Sequence, residues 1–158
     1  MGKRKFMVSV IGGHKCDEKV AAIAERVGEI IAESGAVLVS GGLGGVMESA
    51  CRGAKKAGGL TIGIVPGNKK EVANRYVDIV IPSDMGYSRN TLVAGAGDIV
   101  VAISGEYGTL SEICFSEIGH KKIYGLDTWD VPVVNKISSP EDIKSVIEQA
   151  MSKVGSER

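Results

Sequence analysis

One pattern recurs along this chain and leaves few folds open to it: a short, wholly apolar run empties into a glycine-bearing turn, and an amphipathic helix follows. Phe6-Met7-Val8-Ser9-Val10-Ile11 runs into Gly12-Gly13-His14. Ala36-Val37-Leu38-Val39 runs into Ser40-Gly41-Gly42-Leu43-Gly44-Gly45, and Asp98-Ile99-Val100-Val101-Ala102-Ile103 into Ser104-Gly105-Glu106-Tyr107-Gly108. Runs that do not alternate with polar residues are strands covered on both faces. Residues 60–65 and 77–81 read as further strands, 123–126 as a last strand, and 131–134 as an edge or turn. Between them, Asp17 can cap a helix whose Val20, Ala24, Val27 and Ile31 recur at helical spacing until Gly35 stops it. Val46, Met47, Ala50, Cys51 and Ala54 take one side of the next, and a short helix follows around Arg89, Asn90 and Val93. Ser139 as cap, Pro140 at the first helical position and Glu141 and Asp142 behind it signal a final helix through Val154, with a fraying tail from Gly155. The alternation predicts a single Rossmann-like α/β domain over residues 1–158, three layers α/β/α around a mainly parallel sheet of about six or seven strands. In such sheets ligands bind beyond the carboxyl ends of the strands, so the turns after strands one, two and five should converge on one crevice.

Composition narrows what that crevice serves. Nineteen basic against 19 acidic residues and an aromatic content of 4% give neither the field nor the stacking surface that a nucleic acid polymer requires. The apolar run after Gly2-Lys3-Arg4-Lys5 is too brief for a signal peptide or a membrane span, so a cytoplasmic protein is expected. Cys16, Cys51 and Cys114 lack CxxC spacing and read as reduced thiols, with Cys51 and Cys114 on apolar helix faces in the core. His14 and His120 stand alone, as loop or helix-end residues, and no metal site is expected.

The stretch from Ser104 to Glu112 reads as a phosphate cradle. Gly105 and Gly108 let the chain double back with its N–H groups facing one spot, and a helix starting near Thr109 adds the positive end of its dipole. Glu112 has two readings: a group that reaches a bound ligand, or the last member of a Thr109-Leu110-Ser111-Glu112 capping box that satisfies its own helix end. Hydride transfer and NTP hydrolysis are poor fits. Gly12-Gly13-His14-Lys15-Cys16 does not give G-x-G-x-x-G, no acid follows the second strand to hold ribose hydroxyls, and no G-x-x-x-x-G-K-[ST] occurs.

The turns 40–47 and 104–112, with Arg89 between them, resemble the Lonely Guy family of nucleotide phosphoribohydrolases and its relatives, among them molybdenum cofactor carrier-like proteins and many labelled lysine decarboxylases. The family pattern is a G-G-G-x-x-G-L-M-like turn and a P-G-G-x-G-T-x-x-E turn. Carried over, the resemblance implies that Gly41, Gly42, Gly45, Gly105, Gly108 and Thr109 hold a 5′-phosphate, with Gly12, Gly13, Met47, Asn90 and Tyr107 beside them. Arg89 and Glu112 become the catalytic pair for hydrolysis of the N-glycosidic bond of a nucleoside 5′-monophosphate. A carboxylate suits the oxocarbenium-like state of that reaction, and Arg89 could grip phosphate or ribose and keep the carboxylate ionised; its bland reading is a surface helix arginine. No cofactor is required by that reading. The alternative is a non-catalytic carrier or sensor holding molybdenum cofactor or a signalling nucleotide. Ser104 and Glu106 replace the family's proline and glycine, and Met85-Gly86-Tyr87-Ser88-Arg89-Asn90 is one residue longer than M-x-x-R-K with asparagine for lysine, features of the carrier-like branch. No lysine is marked as a pyridoxal phosphate partner. The resemblance also implies a homo-oligomer, with helices around Val93 or Ile113 as its contact. A purely structural module would leave the glycine turns without a reason.

Overall fold

The computed structural model describes residues 4–156. Their elements run β1 (Met7–Gly12), α1 (Glu18–Glu33), β2 (Val37–Ser40), α2 (Val46–Lys56), β3 (Thr61–Val65), β4 (Ile79–Pro82), α3 (Asn90–Ala96), β5 (Ile99–Ile103), α4 (Tyr107–Ile118), β6 (Lys122–Leu126), β7 (Val134–Lys136) and α5 (Asp142–Ser156). Single 3-10 turns at Lys70–Val72 and Gly86–Arg89 interrupt the connections around β4.

The strands form one seven-stranded, all-parallel sheet in the order β4-β3-β2-β1-β5-β6-β7. β1 is its middle. Met7, Val8 and Ser9 pair with Val37, Leu38 and Val39 on one side, while Val8 to Gly12 pair with Ile99 to Ile103 on the other. The chain therefore winds outward in two directions from β1, and the β1/β5 boundary is where the order reverses.

Both faces of the sheet are covered. Val8, Val10, Leu38, Val101 and Ile103 meet the apolar sides of α1, α2 and α5. Ile11, Val39, Ile64, Val100 and Ala102 meet Val93 of α3 and Ile113 of α4 on the other face. α1 and α2 lie unusually close together. A methyl on Gly28 would run into the carbonyl of Ala50, and one on Gly53 into that of Glu25, so only glycine permits that spacing. Glu25 then joins the two helices at their surface, accepting from Arg52 Nε at 2.7 Å and from Lys56.

Several expectations need correction. α5 begins at Asp142 rather than Pro140, because the Asp142 carboxylate reaches back to accept from the N–H groups of Ser138 and Ser139, both at 3.1 Å. It continues through Gly155 to Ser156, while the last two tail residues lie outside the described residues. The strand at 123–126 is not the last: β7 (Val134–Lys136) follows it, after Val131 to Val133 make the turn expected there, closed by Val134 N–H on Val131 O at 3.0 Å. Cys51 is buried, but Cys114 is exposed on the outer side of α4. The Val93 and Ile113 side chains themselves face the interior, while Leu92, Phe115 and Ile118 on the same two helices are exposed. All three cysteines are free, and no helix among the described residues is long and apolar enough to cross a membrane.

Candidate functional site at the strand ends

The carboxyl ends of β1 and β5 open on a cavity of about 500 Å³ lined by residues from four segments. Gly12, Gly13, His14 and Lys15 come from the turn after β1, and Met47 from the start of α2. Tyr87, Arg89 and Asn90 come from the connection into α3, and Glu106 to Thr109, Ser111 and Glu112 from the first turns of α4.

Backbone geometry builds the turn after β5. Ser104 and Gly105 both have positive φ, 49° and 99°, so a non-glycine residue takes a left-handed conformation directly before a glycine that does so. Gly105 also packs against Thr109, where any side chain would collide with the threonine hydroxyl. Thr128 Oγ1 donates to Ser104 O at 2.7 Å, and Trp129 Nε1 donates to Glu106 O at 3.1 Å, pinning the turn from the loop after β6. Glu106 is the N-cap residue of α4, contributes no side-chain cap and points its exposed carboxylate to the rim. Thr109 therefore lies inside the first helical turn, and the capping-box reading of Glu112 is excluded. Gly108 is helical rather than part of the turn, and nothing stands within 4 Å of where its side chain would be. That leaves the first turn of α4 open to the cavity.

Of the glycines of the second turn, none lines the cavity. Gly41 lies against Arg89 and Met47, Gly42 against Val65 and Gly63, and Gly45, with φ of 63°, against the backbone of Gly13 and His14. Val46 N–H donates to Gly13 O at 3.0 Å, so the start of α2 is occupied by the β1 turn. These residues and Gly105 shape the crevice from behind.

Arg89 is buried, which removes the surface reading. Its guanidinium donates through Nε to Ile64 O at 2.9 Å, to Gly41 O at 3.4 Å and to Asn90 Oδ1. Asn90 Nδ2 donates in turn to Ser111 Oγ at 3.0 Å, and Ser111 Oγ to Gly108 O at 2.6 Å, tying α3 to α4. Burial lowers the Arg89 pKa against the opposing pull of Glu112 and Tyr87.

Glu112 is 6% exposed, and among the described residues no hydrogen bond or ion pair reaches its carboxyl. Among the described residues no unpartnered polar side-chain atom is sealed from solvent, so its oxygens open onto the cavity the residue lines. Burial pushes this carboxyl up to about 8, and the charge of Arg89 only partly offsets that. Arg89 does not, then, hold the carboxylate ionised through a direct pair. His14, Lys15, Tyr87 and Ser111 were not marked by any spacing in the sequence; only the fold brings them to the cavity. His120 sits just past α4 with φ of 55°, at the helix end.

A doubly wound parallel sheet with a glycine-built crevice at its point of reversal defines a Rossmann-like α/β protein, and such crevices are where folds of this class take their ligands. The profile of the SLOG cluster4 family matches residues 5–154, and the chain belongs to that family. A protein of Archaeoglobus fulgidus is 46% identical over 121 residues, 77% of this chain and 80% of its own. The molybdenum cofactor binding protein of the phototrophic bacterium Rippkaea orientalis superposes with a TM-score of 0.88 at 34% identity, covering 95% of this chain and 99% of that one. The Moco carrier protein of Chlamydomonas reinhardtii superposes at 0.85 and 30% identity, with 95% and 99% covered. These similarities agree with the carrier-like branch to which the residues at 85–90 and 104–106 point.

Proposed function

We propose that this chain is a carrier that holds a phosphate-bearing pterin of the molybdenum cofactor type in the β1/β5 crevice and gives it up unaltered. The observation that carries the reading is the similarity, over nearly the whole chain, to a molybdenum cofactor binding protein and a Moco carrier protein. Burial raises the pKa of the Glu112 carboxyl, which disfavours it as a nucleophile or base but suits a general acid, so a product screen is what separates carrier from hydrolase. The crevice fits such a cargo. A volume of about 500 Å³ is in the range of small-ligand sites, the open first turn of α4 receives an anion, and Lys15 and Arg89 supply positive charge. The similarity to a cofactor binding protein and a Moco carrier protein supports the same cargo. Equilibrium dialysis against purified molybdenum cofactor, beside a product screen with nucleoside 5′-monophosphates, tests the reading. The expected result is retention of the cofactor and no free base from AMP or GMP. Multiple turnovers releasing base would overturn it in favour of phosphoribohydrolase activity.

The proposed macromolecular partner is a second copy of the chain. Ile79 and Ile81 of β4 pair with Ile62 and Ile64, which places them on the α3/α4 face, yet no helix covers them. Leu92 of α3 and Phe115 and Ile118 of α4 are exposed on that side too. Together the five leave on the order of 400 Å² of apolar surface, close to the apolar share of the about 800 Å² each partner buries in a standard interface.

A further inference from the structure

We propose that Glu112 meets the bound ligand as an uncharged carboxylic acid and donates a hydrogen bond to an acceptor atom on the ligand's ring, selecting the ligand. This rests on the carrier reading of the crevice and says which chemical edge the crevice recognises.

The argument begins with what surrounds the carboxyl. Two of the other buried polar side chains in the cavity are already engaged, Arg89 with Ile64 O, Gly41 O and Asn90, and Asn90 with Ser111. Among the described residues Glu112 and the Thr109 hydroxyl line the cavity buried and without a partner, and of the two Glu112 is the one that can carry charge. In the free protein its oxygens reach the solvent of the cavity, so a ligand that displaces that water must supply the bond itself or leave the carboxyl unpaired at a cost. The protonated acid presents one donor beside one acceptor, whereas the ionised form presents acceptors only. It therefore matches a ring edge on which an acceptor stands next to an N–H, as the lactam edge of an oxo-pterin or oxo-purine does. A ligand bearing two adjacent donors would select the ionised form instead.

The charged and titratable groups facing this carboxyl come from every neighbouring segment. Arg89 and Tyr87 stand on the connection before α3, His14 and Lys15 on the β1 turn, and Glu106 and Tyr107 at the start of α4; α2 contributes the uncharged Met47. The charge of Arg89 favours ionisation, but it is spent on carbonyl oxygens and burial prevails. Above about 8 the free protein must take up a proton to bind, so affinity falls about tenfold for each further pH unit. The ligand's phosphate is already doubly charged in that range and contributes no such slope.

The test uses molybdenum cofactor as probe and the fluorescence of Trp129, the chain's one tryptophan, as readout. Trp129 is suited to this because its ring lies 5.7 Å from that of Tyr107 at the cavity rim. Titrations of the full chain at pH 7, 8.5 and 9.5 should give an affinity about fourfold weaker at 8.5 than at 7 and about eightfold weaker again at 9.5. Glu112→Ala should weaken binding at pH 7 by about tenfold, one hydrogen bond's worth, and Glu112→Gln, which keeps a donor, should recover part of that and show no alkaline loss. In the ligand-free wild type, the Glu112 carboxyl followed by carbon NMR should titrate well above the ordinary carboxylate range. Tight binding with a flat pH profile would overturn the proposal and leave the carrier reading standing, as would a Glu112 carboxyl that titrates near 4.5 without ligand or a Gln variant as weak as Ala. Failure of the wild type to bind the cofactor at pH 7 would overturn both.

Discussion

Glu112 has a consequence for stability apart from any ligand. Between the ordinary carboxylate value of 4.5 and the folded value of about 8, the folded chain keeps a proton that the unfolded chain has released. Stability therefore falls as pH rises through this window, by up to about 1.4 kcal/mol per pH unit, and the contribution is level below it and above it. Urea unfolding at pH 5 and pH 8 should show the wild type losing more stability than Glu112→Gln does over the same interval; equal losses would mean the carboxyl is not proton-bearing when folded. The sequence put Glu112 at the right place but could not choose between cap and ligand group. That choice turns on where α4 starts, and the start is set by Trp129 and Thr128 holding the turn at 104–106 from a loop more than 20 residues away. Arg89 was legible as a site residue through its place between two glycine turns. Its burial was not, because nothing local distinguishes an arginine over a strand end from one in water. Lys15 and Tyr87 were illegible for a related reason: a single lysine or tyrosine in a loop has no period, and only the convergence of distant turns gives it a role.

Among the elements, the contact between α1 and α2 most constrains the half of the molecule behind the second glycine turn. Gly28→Ala forces a methyl onto the Ala50 carbonyl and Gly53→Ala one onto that of Glu25, and neither backbone oxygen can move without shifting a helix. Each substitution should cost about 1–3 kcal/mol of overpacking. Gly67→Ala, at a loop position with nothing within 4 Å, is the control and should leave the denaturation midpoint nearly unchanged. A Gly28 variant as stable as the control would mean the helices have room to separate. Helices and buried strands were largely legible, since apolar runs and helical spacing report burial directly. Boundaries were less so: Pro140 looks like a first helical residue, but the Asp142 carboxylate takes the N–H groups of Ser138 and Ser139 and starts α5 there. The glycines inside α1 and α2 also escaped notice, because a helix-interior glycine signals a partner that the local pattern does not name.

For the molecule as a whole, the uncovered isoleucines of β4 set the expectation for assembly. Parallel sheets are commonly covered on both faces, and here Ile79 and Ile81 of β4 are left exposed by the chain's own helices. Sedimentation velocity should find a dimer or larger assembly at micromolar concentration, and Ile118→Glu with Phe115→Glu should shift it towards monomer while keeping the circular dichroism of the fold. A monomeric wild type would rule the second copy out. The presence of a parallel sheet could be read from the sequence, but the strand order could not, since β1 meets β5 across about 90 intervening residues and no local signal encodes that pairing. That same long-range pairing has a consequence for biosynthesis. As a chain emerges from the ribosome, β1 acquires β2 early, while its other edge waits until β5 has been made. The crevice needs β1, the turn at 104–106 and α4 together, so it comes into being only after roughly three quarters of these 158 residues have been translated. A nascent chain that lacks α4 has no such crevice, so anything bound there marks a chain synthesised at least through Ile118.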